Sequence, residues 1–91
     1  MAVVWGERKK VTNLKKHQVS FDEAATVFDD PLFVIARDED HSIEEKRFII
    51  LGESNEGRLL VVAYAERGKD TRIISAREAT PKERKNYEKE I

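Results

Sequence analysis

Three strand-like runs lie between Phe48 and Ala76, separated by turns too short for a crossover, and nothing else in the chain constrains the fold as strongly. The runs are Phe48–Leu51, Leu59–Ala65 and Thr71–Ala76. Glu53-Ser54-Asn55-Glu56-Gly57 joins the first pair and Arg67-Gly68-Lys69-Asp70 the second, both polar and glycine-containing. Parallel neighbours need a connection of a dozen residues or more, so strands joined this tightly pair antiparallel. Leu32–Ala36 reads as another strand, followed by a polar turn over Asp38–Ser42. Val3-Val4-Trp5 reads as a short opening strand.

The first half has a different period. Glu7–His17 is helix-like, with Val11 and Leu14 three apart and a basic opposite face. Ser20 with Glu23 three residues later forms a capping box, and Phe21, Ala24, Ala25 and Phe28 then share one apolar stripe. Asp29-Asp30-Pro31 ends that helix, because the residue before proline is driven out of the helical region. Thr80-Pro81-Lys82-Glu83 opens a last, polar helix running to Glu90, with Thr at N-cap, Pro at N1 and Glu at N3. The order β-α-α-β-β-β-β-α predicts an α+β fold in one domain over residues 1–91: two N-terminal helices packed on an antiparallel sheet, with a C-terminal helix. Strands 48–51 and 59–65 are apolar on both faces. Two helices cover one face, so the other needs the C-terminal helix, a second copy or a partner protein.

Net charge is −1, which argues against a strongly basic nucleic-acid binder, but the charge is unevenly spread. Residues 1–20 hold five bases against one acid, residues 21–45 nine acids against one base, and residues 67–91 eight bases against five acids. This pattern allows a basic cleft beside an acidic docking surface. There are no cysteines, which excludes disulfides and thiolate metal sites and fits a reducing cytoplasm. The opening Met1-Ala2-Val3-Val4-Trp5 is too short and too soon charged for a signal peptide, and no apolar run approaches a membrane span, so no membrane partner is expected.

Asn13-Leu14-Lys15-Lys16-His17-Gln18-Val19-Ser20-Phe21-Asp22-Glu23-Ala24 resembles the "N-x-x-K-H-G-V-S-F-E-E-A" run of the BrnT toxin family. Val27-Phe28-Asp29-Asp30-Pro31 is similar to its "VF-x-D-P", and His41-Ser42 with Glu45-Lys46-Arg47-Phe48 to its "H-S-x-x-E-x-R". Gly52, Gly57-Arg58 and Leu60-Val61-Val62 sit where that family has "G…GR-x-L-x-V". Arg72-Ile73-Ile74-Ser75-Ala76-Arg77-Glu78-Ala79 resembles "RIISAR-x-A", and Glu83 with Tyr87 the closing "E…Y". The likeness runs through essentially the whole chain. Gly6 departs from the family's Asp, which bears on how the first helix is capped. Gln18 departs from its Gly, which removes an easy left-handed C-cap. The resemblance implies a RelE-like ribonuclease fold and the toxin role in a type II toxin–antitoxin pair, inhibiting translation by cutting RNA. It also implies a BrnA-like antitoxin with a DNA-binding ribbon-helix-helix domain, a two-plus-two assembly, and contact with operator DNA only through that antitoxin.

Metal-independent RNA cleavage needs a base for the 2′-hydroxyl, cations for the phosphorane and an acid for the leaving oxygen. Arginine suits the second task because its planar fork matches two phosphate oxygens. Arg47, Arg58, Arg72 and Arg77, at strand ends, are the candidate phosphate-binding or transition-state groups, against the plain alternative of surface arginines. Tyr87 is a candidate acid, base or stacking group, or else packs the last helix down. His17 beside Lys16 offers a near-neutral titrating group, or else caps carbonyls. Lys16, Lys46, Arg67 and Trp5 are candidate substrate contacts, with Trp5 more at home in the core. His41 sits in an acidic turn, and Asp38, Asp40 and His41 lack metal-ligand spacing, so no metal or other cofactor is expected. The second functional reading is a catalytically inactive module that binds its antitoxin and contributes to operon autorepression. The modest charge also predicts little or no dependence on the ribosome.

Overall fold

The computed structural model describes residues 2–39 and 45–89. Its elements are β1 (Ala2–Val4), α1 (Glu7–His17), α2 (Phe21–Ala25), a 3-10 turn (Thr26–Asp29), β2 (Val34–Arg37), β3 (Lys46–Glu53), β4 (Leu59–Arg67), β5 (Asp70–Glu78) and α3 (Pro81–Lys89). The five strands form one sheet in the order β1-β5-β4-β3-β2. The expected meander is present: β2–β3, β3–β4 and β4–β5 all pair antiparallel. The expectation of a wholly antiparallel sheet needs one correction. β1 pairs with β5 in parallel, Val3 opposite Thr71 and Val4 opposite Arg72. The physical reason is the path of the chain: the whole of α1, α2 and the meander intervenes, long enough for a parallel return.

Half of the expected capping box forms: the Glu23 N–H donates to Ser20 Oγ at 3.0 Å, while the Glu23 carboxylate accepts from Arg58 and Ser54. The helix it opens is shorter than its apolar stripe. After Ala25 the backbone tightens into the 3-10 turn, which carries Val27 inward and Phe28 onto Tyr64. Val19, Phe21, Ala24 and Val27 from this segment meet Ile50, Leu60, Val62, Tyr64, Ile73 and Ala76 from one face of the sheet, and together they are the core. Gly52 lets the 3-10 turn lie close. A Cβ there would stand 2.9 Å from Val27 Cγ1 and 3.2 Å from Asp30 Oδ2.

α1 is held differently from what its sequence suggests. Val11 and Leu14 are 51% and 49% exposed, and the buried residue of α1 is Asn13. Asn13 Nδ2 donates to the carbonyls of Ala76 (2.9 Å) and Val19 (3.0 Å), and Asn13 Oδ1 accepts from the Ala76 N–H at 3.0 Å. The amide thus copies the hydrogen-bonding edge of a strand and closes β5 where β1 has ended. Both departures in α1 have visible consequences. Gly6 is an N-cap without a side-chain bond. Gln18 takes the left-handed conformation at φ 56° that glycine adopts without strain, and its Nε2 donates to the Lys15 carbonyl.

Candidate functional site

Strand alternation sorts the arginines. On β3 and β4 the core takes Ile50, Leu60, Val62 and Tyr64, so Arg47, Ile49, Leu51, Leu59, Val61, Ala63, Ala65 and Arg67 share the second face. Register carries this face onto β5: Arg72 lies opposite Ala65, Ser75 opposite Ala63 and Arg77 opposite Val61. The register shift at Ala63/Tyr64 keeps both Arg72 and Arg77 on this side although they are five residues apart. Arg47 and Arg72 therefore flank buried Ala65 in one cross-strand row. Neighbouring strands are ~4.8 Å apart, which sets their backbones roughly 10 Å apart, within reach of two arginine side chains meeting one phosphate.

Glu45 completes that row. Its Oε1 accepts from Arg47 Nε at 3.2 Å and its Oε2 from Arg67 Nε at 2.9 Å. The Arg67 hydrogen bond, assisted by Arg47, holds the Glu45 carboxyl below the ordinary glutamate range. Beside it, Val4, Trp5, Gly6, Arg67, Asp70 and Arg72 line a shallow depression of about 280 Å³. Trp5 is half-buried there with an edge-on contact to Phe21, so the ring is core on one side and lining on the other. Past Ser75 a second groove, of about 310 Å³, runs between α1 and β5. Its lining includes Arg8, Lys9, Lys16, His17 and Ser75. Lys16 and His17 thus join the arginine face through Ser75 rather than sitting within it.

Three candidates lie elsewhere. Arg58 precedes β4 on the helix side, where its guanidinium bonds both oxygens of Glu23, Glu78 Oε1 (3.3 Å) and the Gln18 carbonyl (3.1 Å). The bond to Glu23 raises the Arg58 pKa against the effect of burial, and it lowers that of Glu23. Lys46 alternates with Arg47 and points to the opposite face, across from Glu66. Tyr87 is buried and its hydroxyl donates to Asp30 Oδ2 at 2.6 Å. Burial, then the Asp30 carboxylate, pushes its pKa up to about 12. A tyrosine so committed packs α3 against Asp30 and the end of β3. Asp30 also accepts from the Glu53 N–H (2.7 Å) and the Leu32 N–H (2.8 Å), and these bonds lower its pKa although burial alone would raise it.

Arg77 stands at the border. Its Nη1 and Nη2 donate to Glu83 Oε1 and Oε2 at 2.8 and 2.9 Å, tying α3 over the end of the face that holds Leu59 and Val61. The Arg77 guanidinium holds the Glu83 carboxyl at about 2, against the opposing effect of burial. α3 thus supplies part of the cover that the apolar second face requires. The row from Ile49 to Ser75 and the row of Arg47 and Arg72 lie beyond it. Glu45 and Ser75 are the additions that sequence reasoning missed. Glu45 was findable, because residues i and i+2 on a strand share a face and so pair Glu45 with Arg47. Ser75 gave no signal of its own. Asp40, His41 and Ser42 of the expected turn fall outside the described residues. Among the described residues no group of three or more histidines, acids or cysteines is placed to hold a metal ion, and no helix is long and apolar enough to cross a membrane.

A mixed five-stranded sheet with a guanidinium-lined open face defines a class compatible with handling RNA, and comparison with known proteins agrees. Residues 5–83 match the sequence model described as the ribonuclease toxin, BrnT, of type II toxin-antitoxin systems. The chain belongs to this family of ribonuclease toxins. Among solved structures, the ribonuclease toxin BrnT of Brucella abortus superposes with a TM-score of 0.68 at 23% identity, covering 88% of this chain and 97% of that one. No protein of curated function matches the chain.

Proposed function

We propose that this chain is an active, metal-independent endoribonuclease of RelE-like architecture, one domain over residues 1–91, that inhibits translation by cutting RNA in the cytoplasm. Its family supplies the toxin role and implies an antitoxin partner. The finer reading of that partner is a BrnA-like ribbon-helix-helix protein, assembled two-plus-two with the toxin and carrying it to operator DNA.

The observation that supports catalysis most is the pairing of Arg47 and Arg72 across Ala65 on the open half of the sheet. Two guanidinium groups in one row stabilise the negative charge that a phosphorane transition state develops, which is the largest single demand of the reaction. Arg67 joins them through Glu45, whose carboxylate is ionised at neutral pH and bridges the Arg47 and Arg67 side chains. Trp5, near the start of β5, and the groove of Lys16 and His17, further along the same edge, extend the face, fit for a base and for flanking phosphates. Arg77 contributes from the border where Glu83 holds it. Arg58 and Tyr87 are assigned to folding rather than to RNA, and Lys46 lies off the arginine face.

The test is cleavage of a structure-free RNA by the purified chain in the presence of a strong chelator. Fragments ending in 2′,3′-cyclic phosphate, suppressed by the product of the adjacent open reading frame, are expected. Intact RNA from folded protein would leave an inactive antitoxin-binding module in its place.

A further inference from the structure

The depression beside the arginine row holds charged groups that the fold leaves uncommitted. The described strands carry Arg37, Arg47, Arg67, Arg72 and Arg77, and all but Arg72 bond a carboxylate: Arg37 that of Glu39, Arg47 and Arg67 that of Glu45, and Arg77 that of Glu83. The Arg72 side chain is half-buried and has no hydrogen bond or ion pair among the described residues. A Cβ built on Gly6 would stand 3.8 Å from its Nη2, so the guanidinium lies against the wall of the depression. Asp70, exposed at the start of β5, is likewise unbonded through its side chain. It lies two residues before Arg72 and opposite Arg67, and so shares their face. The Cα atoms of Asp70 and Arg72 are roughly 7 Å apart along the strand. The side of the Trp5 ring turned away from Phe21 lines the same space.

We infer that this depression takes a guanine of the RNA, and that Asp70 is the residue that selects it. Guanine at this position presupposes the ribonuclease reading of the arginine face. An aromatic ring with one open side receives the π-face of a base. A carboxylate only accepts hydrogen bonds, through two oxygens, and so favours a base edge with two adjacent N–H groups. Guanine presents N1–H and N2–H₂ side by side. Adenine and cytosine set a ring nitrogen acceptor beside their amino group, and uracil flanks its one N–H with two carbonyls. Each of these turns a lone pair toward a carboxylate oxygen and leaves it unsatisfied. Arg72 then receives the phosphate of the same nucleotide, and the strand continues toward Arg47 across Ala65. The rival occupant is an arginine of a partner protein, stacked on Trp5 and paired with Asp70. The guanidinium groups of Arg67 and Arg72 in the same depression oppose it. A guanine nucleotide brings a neutral base to the carboxylate and an anion to the guanidinium, and so matches both.

Trp5 is the only tryptophan of the chain, so quenching of its fluorescence reads a base stacking on it. The probes are 2′-O-methyl hexanucleotides of uridine with guanine, adenine or cytosine at one central position, beside the all-uridine hexamer. The methyl group blocks the attacking oxygen, so binding is read without cleavage. The guanine hexamer should quench Trp5 and bind about tenfold more tightly than the other three. Asp70→Asn, at an exposed and unbonded position, should fold normally and bring the four affinities together. Arg72→Ala should weaken all four alike. Equal affinities in the wild type, a guanine preference that survives Asp70→Asn, binding that leaves Trp5 fluorescence unchanged, or no binding at all would each overturn the assignment. Cleavage of unmodified RNA is read separately. Guanine-selective binding by a chain that leaves RNA intact refutes the nuclease and keeps the base site. Cleavage without guanine selectivity keeps the nuclease and refutes the base site.

Discussion

Arg47 and Arg72 lie opposite the same residue, Ala65, on the two strands that flank β4. Ala65 is fully buried although α3 covers only the other end of its face, and the arginine row with Glu45 and Arg67 occupies the surface around it. This juxtaposition separates the arginines of the open face from those that tie the helices to the sheet, and it orders the predictions that follow.

Arg58→Ala is expected to act on stability. The side chain is held by Glu23, Glu78 and the Gln18 carbonyl, and Glu23 has its other partner in Ser54 Oγ at 2.7 Å. Its loss leaves the shielded Glu23 carboxylate short of a cation and should cost about 2 kcal/mol in denaturant unfolding. Activity per folded molecule should be unchanged in an RNA cleavage assay.

Gly52→Ala should destabilise by about 1–3 kcal/mol, because the added methyl meets Val27 Cγ1 and the fixed Asp30 carboxylate at once. Thermal unfolding reads this directly. Wild-type stability would show that the 3-10 turn yields more easily than its contacts with β3 suggest.

Gln18→Gly should stabilise by about 0.5–1 kcal/mol, relieving a side chain held at φ 56°, less whatever its exposed bond to the Lys15 carbonyl contributes. Equilibrium unfolding in urea checks the sign.

Stability should fall at both extremes of pH, through lowered carboxyl groups on the acid side and Tyr87 on the alkaline side. Glu83 is held at about 2 from an ordinary 4.5, so its contribution is complete above 4.5 and is lost as pH falls toward 2. Glu23 and Asp30, also lowered, act in the same direction. Tyr87 is raised from 10 to about 12, so its contribution is complete below 10 and is lost as pH rises through 12. Glu83→Gln should flatten the acid limb and Tyr87→Phe the alkaline limb of a stability profile. Tyr87→Phe should leave RNA cleavage intact.

Much of the fold was legible because it follows local rules. Short polar turns force the meander, and Ser20 with Glu23 and Thr80 with Glu83 fix two helix starts by capping geometry. The parallel pairing of β1 was not legible, since three residues carry no information about which distant strand they will join. Nor was the use of Asn13 as a strand mimic: a polar residue in a basic helix gives no hint that its amide will be buried against Ala76. For the site, residue type singled out the arginines but could not say which face each takes. Alternation relative to Ile50 and the shift at Ala63/Tyr64 decided that, placing Arg47, Arg72 and Arg77 together and sending Arg58 and Lys46 elsewhere.

The most direct test compares RNA cleavage by Arg72→Ala, Arg47→Ala and Arg58→Ala as purified, folded proteins, each normalised to its folded fraction. Loss of about a hundredfold or more in rate for the first two, with the third close to wild type, is the predicted result. Full activity in Arg72→Ala and Arg47→Ala, or loss of activity only in Arg58→Ala, would contradict the assignment of the arginine face as the site of RNA cleavage.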